Sequence, residues 1–272
     1  MLRIETLHLL EQFNILLDTN LDEQQLIDTE VIRRLISDAE VTKADVALEV
    51  GSGCGNITTA LAEATGRVVA VEKNTKFLPL LKERLAPLGN VELIHGDALR
   101  MRLPPFNKLV SNLPFSICEA LAQRLIHLSF ELAPLIVPSS FADIVTAHEG
   151  DPHYSRLSLI SNAFFTSERL EEISSDAYYP PISGSTSILR LKPKAADDPR
   201  QEILRHVLLQ SDKKLKNALR EALIASSHTL ESPSTKREAK KRIQSMDLGR
   251  ALLEKRGARL SLSELQLLIH RL

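Results

Sequence analysis

Residues 46–62 read VALEVGSGCGNITTALA and decide the fold of this chain. The apolar run 46–50 predicts a buried strand, and residues 57–62 predict a helix that follows it closely. Between them, Gly51, Gly53 and Gly55 let the backbone approach a ligand and adopt dihedral angles that side chains forbid. A strand, a glycine loop and a helix in this order predict a nucleotide-type site in an α/β domain with a parallel sheet.

Three further apolar runs each end in a polar residue. They are residues 67–71, 91–95 and 109–111, which lead into Glu72, Asp97 and Asn112. Ligands of open α/β sheets bind outside the carboxyl ends of the strands, so these side chains are expected to share one site with the glycine loop. Glu72 follows Gly51 at about the separation of a ribose-binding acid, and Asp97 could accept a cofactor's adenine amino group.

The fourth strand end carries Asn112-Leu113-Pro114-Phe115, which suits methylation of an amine. An exocyclic adenine amine is a poor nucleophile, and acceptors on its two N–H groups would localise its lone pair. Asn112 and the carbonyl of Leu113 or Pro114 could be those acceptors, with Phe115 as a flat face for an extruded base. Taken alone, the four residues also fit an ordinary turn after a strand. Their position after three cofactor-type strand ends favours the clamp, and G-S-G-C-G-N instead of G-x-G-x-x-G disfavours a redox dinucleotide.

At these residues the chain resembles the ribosomal RNA adenine dimethyltransferase family, the KsgA-type enzymes, to which the Erm-type enzymes are related. The resemblance rests on residues 49–58, 70–72, 96–99, 112–115, 154–158, 177–181 and 213–219. It implies an α/β fold with a Rossmann-like S-adenosylmethionine-dependent methyltransferase sheet, helices on both faces and a small C-terminal α-helical domain. It also implies N6,N6-dimethylation of adenosines in small-subunit ribosomal RNA, as part of ribosome biogenesis.

The resemblance further implies roles for individual residues. The cofactor S-adenosyl-L-methionine would be bound by Gln24, Leu26, Gly51, Gly53, Glu72, Lys73, Asp97, Ala98 and Asn112. The catalytic group would be Asn112, Leu113, Pro114, Phe115 and Tyr178. Asn112 and the Leu113 carbonyl would hold the amine and Phe115 would stack on the base. Tyr178 would form the opposing wall, where the family carries Phe.

Three segments depart from the family's pattern. The N-terminal G-Q-[NH]-F-L-x-D falls on residues 22–28, where Glu23 and Gln25 replace the expected Gln and Phe. A rival register would use Gln12-Phe13 with Asp18. The family's Q-K-E becomes Pro138-Ser139-Ser140, and its P-K-V becomes Ile182-Ser183-Gly184. These changes leave two alternatives open: Erm-type methylation of another RNA adenine, or a catalytically impaired RNA-binding factor for ribosome assembly.

The charge is divided unevenly along the chain, although its net value is only −1. Residues 192–272 contain 18 Lys and Arg against 10 Asp and Glu, whereas residues 1–191 contain 16 against 25. Because RNA backbones are bound by cations, the C-terminal part is predicted to bind RNA. The candidate RNA-binding residues are Lys213, Lys214, Lys216 and Arg220, whereas the denser run at 236–242 fits RNA binding and a solvated helix face equally.

The chain is predicted to divide into a catalytic domain, residues 1–191, and a helical RNA-binding domain, residues 192–272. A polar linker with prolines covers residues 192–199. The catalytic domain includes a helical N-terminal extension, residues 1–40. Apolar residues at three-to-four spacing predict C-terminal helices over 201–210, 215–226 and 261–271.

Composition is that of a globular chain, with 272 residues, 43% hydrophobic and 25% charged. Cys54 and Cys118 lack the spacing of a zinc site or a disulfide framework, and the eight histidines form no cluster, so no metal is expected. The sequence shows no membrane span and no secretory signal. A cytoplasmic monomer is expected, with ribosomal RNA or a precursor of the small ribosomal subunit as its partner.

Overall fold

A computed structural model describes residues 1–196, 198–226 and 235–272. Its strands are β1 (Gln25–Leu26), β2 (Val46–Val50), β3 (Arg67–Glu72), β4 (Val91–His95), β5 (Lys108–Leu109), β6 (Ser111–Asn112), β7 (Ala133–Pro138), β8 (Phe165–Ile173), β9 (Tyr178–Tyr179) and β10 (Thr186–Pro193). Its helices are α1 (Leu2–Gln12), α2 (Thr29–Asp38), α3 (Asn56–Ala64), α4 (Leu78–Leu85), α5 (Cys118–Leu125), α6 (Ser139–Thr146), α7 (Arg156–Phe164), α8 (Pro199–Leu209), α9 (Leu215–Ala225), α10 (Lys236–Ser245), α11 (Arg250–Glu254) and α12 (Leu262–Arg271). The alternation of strand and helix from β2 to α6 is the pattern of an α/β sheet.

The central sheet is built from two sets of strands. The first has the order β4-β3-β2-β5 and is parallel. The second has the order β6-β7-β10-β8, with β6 parallel and β10 antiparallel to β7. Val110 links the two sets, because its N–H donates to the Leu48 carbonyl at 2.9 Å and Ser111 after it begins β6. The predicted Rossmann-like methyltransferase sheet is confirmed. Residues 187–191 have a strand-like sequence and lie within β10, but their pattern did not predict that β10 runs antiparallel to β7.

Both faces of the sheet are covered. Val68, Val69 and Ala70 of β3 are all fully buried, and Val71 is nearly so. Successive strand residues point to opposite faces, so burial of the whole run means that neither face is exposed to water. Side chains of α2 and α3 pack against every second residue of the strands. Side chains of α1 and α4 pack together in a second apolar cluster.

The chain forms two compact units. The first comprises residues 1–146 and 167–193, and the second residues 147–166 and 194–272. The boundary at 193/194 lies two residues beyond the predicted one. The second unit also contains a segment from the middle of the chain, residues 147–166, which includes α7 and which the sequence placed in the catalytic domain.

The second unit is helical. Its core is formed by apolar residues such as Val207, Leu219 and Leu265, from α8, α9 and α12. Three of its helices begin with capping boxes, in which a Ser or Thr hydroxyl accepts from the third helical residue's N–H. These N-caps are Ser155, Thr235 and Ser261. Each cap satisfies backbone donors that a helix start otherwise leaves unpaired.

Within the described parts of the chain, every helix is too short or too polar to cross a membrane. Cys54 and Cys118 are buried free thiols, and burial raises the pKa of each to about 12. Both thiols therefore stay protonated near neutral pH and pack as small apolar groups.

Candidate active site

The glycine loop and the Asn-Leu-Pro-Phe segment lie in direct contact. Gly51 has a positive φ of 80°, and its N–H donates to the carbonyl of Val71 on the neighbouring strand. A Cβ added at Gly51 would lie 3.2 Å from the Pro114 ring. Only glycine allows both this backbone conformation and so close an approach to Pro114. The glycine loop and the Asn-Leu-Pro-Phe segment therefore form one site.

A pocket of about 490 Å³ opens at the carboxyl ends of β2, β3, β4 and β6. Its lining includes all the residues that the sequence assigned to the cofactor and to catalysis. They are Gln24, Leu26, Gly51, Gly53, Glu72, Lys73, Asp97, Ala98, Asn112, Leu113, Pro114, Phe115 and Tyr178. All of them belong to the first unit, so the fold brings together side chains from strand ends far apart in sequence.

Glu72 ties the end of β3 to the glycine loop. Its Oε2 accepts from the Gly53 N–H at 2.9 Å, and its Oε1 accepts from the Asn74 N–H at 2.6 Å. Burial raises the pKa of Glu72, although these two backbone donors oppose the effect. Each carboxylate oxygen has a second lone pair, so Glu72 can still accept hydroxyl groups of a ligand.

Asp97 is a more exposed acid at the end of β4. Its Oδ1 accepts from the Leu99 N–H at 2.9 Å, and its Oδ2 lies 3.1 Å from Lys73 Nζ. The Leu99 N–H, followed by Lys73, lowers the pKa of Asp97. Asp97 is therefore ionised near neutral pH and can accept from an amino group.

The departures at Glu23 and Gln25 form a hydrogen-bonded network. Glu23 is 4% exposed, and its two oxygens accept from Asn74 Nδ2 (2.7 Å) and from the Asp18 N–H (2.6 Å). Gln25 Oε1 accepts from the Cys54 N–H at 2.8 Å, in the glycine loop. These two replacements thus attach the N-terminal segment to the loops after β2 and β3. Gln24 and Leu26 line the pocket from the same segment.

Two ionisable side chains at the site were not singled out from the sequence. Glu49 is 1% exposed and lines the pocket, and burial raises its pKa to about 8, opposed by a hydrogen bond from the Thr58 hydroxyl. Arg84, on α4, donates to the Cys54 carbonyl and to Asn56 Oδ1, both at 2.6 Å, and so braces the glycine loop. In the sequence, Glu49 could have been recognised as an acidic residue inside an apolar strand, just before the glycine loop. Arg84 gave no comparable signal, because its partners are about thirty residues away.

The Asn-Leu-Pro-Phe backbone is held firmly. The Leu113 N–H donates to the Ile136 carbonyl at 3.0 Å, and the Pro114 carbonyl accepts from the Ile117 N–H at 3.1 Å. Asn112 and Phe115 are half-buried and face the pocket. Of the two carbonyl groups considered for the amine, the Pro114 carbonyl already accepts from the Ile117 N–H and from the Cys118 thiol, which favours Leu113.

Tyr178 lies beside Asn112 and is only 2% exposed. Its ring belongs to the apolar cluster that contains residues of α2 and α3. Its hydroxyl donates to Asn112 Oδ1 at 3.3 Å and shares a 2.8 Å hydrogen bond with Thr186 Oγ1. Tyr178 was expected to form the wall opposite Phe115, whereas in the structure its hydroxyl is the part that contacts Asn112.

The other two departures from the family's pattern are neighbours in space. Thr186 of β10 pairs with Pro138 of β7. Beside this pair, Ser139 Oγ lies 2.8 Å from Ser187 Oγ, and Ser185 Oγ donates to Ser139 Oγ at 3.0 Å. Residues 138–140 therefore adjoin residues 185–187, which directly follow the departure at 182–184.

The predicted RNA-binding residues lie in the second unit, at and within α9. Lys213 pairs with Glu221 at 2.5 Å, Lys214 pairs with Glu254 at 2.8 Å, and Lys216 pairs with Glu254. Hydrogen bonds from Lys214 and Lys216 lower the pKa of Glu254 to about 2. Within the described ranges, Arg220 makes no ion pair. Three of the four predicted cations therefore already have a carboxylate partner.

The cations of α10 differ in this respect. Lys236, Arg237, Lys240 and Lys241 are exposed, while Ala239 of the same helix is buried. None of these four lies within ion-pair distance of a carboxylate in the part of the chain that the structure describes. The second basic run is thus an exposed helix face without paired acids.

The sequence matches the ribosomal RNA adenine dimethylase family over residues 16–248. It is 35% identical over 209 residues to the "Probable ribosomal RNA small subunit methyltransferase A" of Thermococcus sibiricus, covering 76% of each chain. It is 33% identical over 221 residues to the protein of the same name from Methanococcoides burtonii, covering 79% of this chain and 80% of that one.

Two solved structures share the fold. A dimethyladenosine transferase from Plasmodium falciparum has a TM-score of 0.60 at 22% identity, with 89% of this chain and 94% of that chain covered. The 23S rRNA methyltransferase ErmE has a TM-score of 0.61 at 21% identity, with 91% and 98% covered. At these identities the likeness extends to the fold alone.

Proposed function

Because this chain belongs to the ribosomal RNA adenine dimethylase family, we propose that it dimethylates N6 of adenosines in small-subunit ribosomal RNA. S-adenosyl-L-methionine is the methyl donor of this family. The observation that carries the proposal is the single pocket in which the glycine loop, Glu72 and Asp97 meet Asn112-Leu113-Pro114-Phe115. A cofactor site and an amine clamp in one cavity allow direct transfer from donor to base.

The residues of the pocket suit the cofactor. Glu72 can accept ribose hydroxyls, and ionised Asp97 can accept an adenine amino group beside Ala98. Gly51 and Gly53 bring backbone close to the ligand, while Gln24, Leu26 and Lys73 complete the lining. The bound cofactor supplies an electrophilic methyl group on a sulfonium.

Asn112 and Leu113 prepare the amine in this mechanism. Asn112 Oδ1 and the Leu113 carbonyl each accept one N–H, which draws the nitrogen toward tetrahedral geometry and exposes its lone pair. Phe115, half-buried at the pocket, offers its face to the extruded base. No strong base is needed, because positioning supplies most of the rate enhancement.

The second unit supplies the RNA-binding surface in this proposal. Lys213 and Lys214 directly precede α9, Lys216 and Arg220 lie on it, and the exposed cations of α10 lie on another helix. Cations on such surfaces neutralise backbone phosphates and position the RNA without reading its sequence.

Because the substrate is ribosomal, we place the activity in the cytoplasm. We expect a monomer, and sedimentation of the free protein tests this.

Replacing Asn112 with Ala tests the mechanism. We expect Asn112→Ala to lower the methyl-transfer rate by at least about 100-fold, because the amine loses an orienting acceptor. Calorimetry should show that affinity for S-adenosylmethionine falls far less than the rate, because Asn112 is one of many residues that line the pocket; retained binding also verifies that the variant is folded. Methylation at the wild-type rate would show that Asn112 does not hold the amine.

The substrate is tested separately. The protein is incubated with labelled S-adenosylmethionine and unmethylated small or large ribosomal subunits, and dimethyladenosine is mapped by mass spectrometry. We expect label in the small subunit only. Label in the large subunit would indicate an Erm-type target. Cofactor binding without transfer to either subunit would indicate that the chain acts without turnover, as an RNA-binding assembly factor.

A further inference from the structure

Two buried hydroxyl groups form a chain of hydrogen bonds that ends at Asn112. The Tyr178 hydroxyl is 3.3 Å from Asn112 Oδ1 and 2.8 Å from Thr186 Oγ1. Tyr178 is 2% exposed and Thr186 is fully buried. The three side chains come from β6, β9 and β10, so their contact depends on the folded sheet.

Asn112 needs a neighbour that distinguishes the two ends of its amide. The oxygen can accept an N–H of the target amine, whereas the NH₂ group cannot. Rotation about the last side-chain bond of Asn has a broad, nearly two-fold profile and selects neither end. A donor fixed on the oxygen removes this ambiguity and still leaves a second lone pair for substrate.

The burial of the hydroxyl groups gives the hydrogen bonds a direction. Among the described residues, Thr186 Oγ1 has one hydrogen-bond partner, the Tyr178 hydroxyl. A buried donor needs an acceptor, so Thr186 donates to Tyr178 and leaves the Tyr178 proton for Asn112 Oδ1. Burial raises the pKa of Tyr178 above its ordinary value, which keeps this proton in place. The opposite direction would leave the Thr186 proton unsatisfied.

We infer that Thr186 and Tyr178 form a donor relay that fixes the Asn112 amide with its oxygen available to the target amine. The inference rests on the proposed function, because only an amine substrate needs that oxygen. Neither hydroxyl touches the reacting atoms, so both are positioning residues. The family resemblance gives Phe at Tyr178, so the relay is a feature of this chain.

The relay predicts rate losses of different size in two variants. Tyr178→Phe should lower the single-turnover methyl-transfer rate about five- to tenfold, the effect of one lost hydrogen bond to Asn112. Thr186→Val should lower it less, because Tyr178 keeps its proton and loses only the contact that holds its hydroxyl in place. The affinity for S-adenosylmethionine and the KM for small subunits should stay unchanged. Tyr178→Phe keeps the ring in the core and restores the family's residue, so the variant should fold.

Three comparisons make the test specific. Thr186→Ser keeps a hydroxyl and should recover most of the rate that Thr186→Val loses. The double variant should be no slower than Tyr178→Phe, because either change breaks the same relay. Thr65→Val removes another fully buried hydroxyl, which bonds to the Leu61 carbonyl outside the pocket, and should leave the rate unchanged.

The outcomes separate this inference from the proposed function. Loss of activity in Asn112→Ala with a wild-type rate in Tyr178→Phe would overturn the relay alone. Rate losses that multiply in the double variant, or weaker cofactor binding in parallel with the rate, would also overturn it. Full activity in Asn112→Ala would instead reject the proposed role of Asn112, and the relay with it.

Discussion

At the scale of single residues, the buried acid Glu49 links stability to pH. Burial raises its pKa from 4.5 to about 8. The unfolded chain therefore releases this proton at lower pH than the folded protein does. Between these two values the folded state binds more protons, so the ligand-free protein loses stability as pH rises. We expect Glu49→Gln to remove much of this loss, measured as the change in unfolding temperature from about pH 5 to pH 8.

Two features of the chain refine that measurement. Burial also raises the pKa of Glu72, so the variant should retain a smaller slope in the same direction. Glu63, exposed on α3, provides the matched control, and Glu63→Gln should keep the wild-type slope. An equal loss of stability in wild type and Glu49→Gln would show that Glu49 does not carry the effect.

A substitution at Gly53 tests the role of the glycine loop in cofactor binding, because alanine adds a single carbon atom there. Its φ is +53°, and an added Cβ would lie 2.4 Å from Gln25 Oε1, which bonds to the Cys54 N–H. Gln25 would have to move and give up that bond. We expect Gly53→Ala to weaken S-adenosylmethionine binding at least about tenfold by calorimetry, beyond the ~1–2 kcal/mol cost of a left-handed alanine.

Gly249 is the control for this backbone cost. It too has a positive φ, +67°, but an added Cβ would meet nothing within 4 Å. With ψ of 144°, Gly249 has a conformation that is open almost only to glycine, so Gly249→Ala should lower stability at least as much through the backbone and still leave cofactor affinity unchanged. Equal cofactor affinity in the two variants would exclude the clash with Gln25 as a determinant of binding.

Sequence patterns predicted some site residues and could not predict others. Glu72, Asp97 and Asn112 follow apolar strands, and the ends of parallel strands meet at one edge of a sheet, so their convergence was predictable. The Glu23 network was not, because Asn74 lies 51 residues away. Its partners depend on how the N-terminal segment crosses the loop after β3. Local patterns do not encode such a crossing.

At the scale of secondary-structure elements, local sequence patterns predicted the strands but not the unit to which a helix belongs. The parallel strands β2 and β3 are mostly apolar and buried on both faces, and such runs are easily recognised in a sequence, whereas β4 is only partly buried. Helix α7 belongs to the second unit although it precedes β8 and β10 of the first. That assignment comes from tertiary packing, which periodicity within one helix does not show.

The two basic helices make different predictions about RNA binding. The α9 lysines must break ion pairs with Glu221 and Glu254 to meet phosphate, whereas the α10 cations have no such partner. Replacing Lys236, Arg237, Lys240 and Lys241 with Gln should reduce the salt-dependence slope of small-subunit binding by about 3, at roughly 0.7–0.9 per lost contact. Filter binding over a range of salt concentrations measures this slope.

The α9 lysines give the matched comparison. Replacing Lys213, Lys214 and Lys216 with Gln should reduce the slope by about 1 or less, because part of their charge is already neutralised within the unit. Calorimetry with S-adenosylmethionine should give wild-type affinity for both variants. A larger slope change in the α9 variant than in the α10 variant would assign the main phosphate contacts to α9.

At the scale of the whole molecule, charge is separated between the two units. The first unit has 16 Lys and Arg against 23 Asp and Glu, and the second has 18 against 12. A net charge of −1 for the chain conceals this separation. In the proposed function, the acidic first unit would repel phosphate from unproductive sites, and the basic second unit would attract it. The near-neutral total is therefore compatible with an RNA-binding protein.

This separation predicts that salt affects the two substrates of the enzyme differently. Raising salt from about 50 to 200 mM should increase the KM for small subunits at least about tenfold, because phosphate contacts by the second unit are weakened. The affinity for S-adenosylmethionine should change by less than about twofold, because Glu72 is buried in the pocket proposed for the cofactor and is poorly screened. Initial-rate kinetics and calorimetry on the intact protein measure the two quantities. The charge separation would not explain the two binding functions if the KM for subunits did not change with salt. The same conclusion would follow if the affinity for S-adenosylmethionine fell by the same factor as the KM rose.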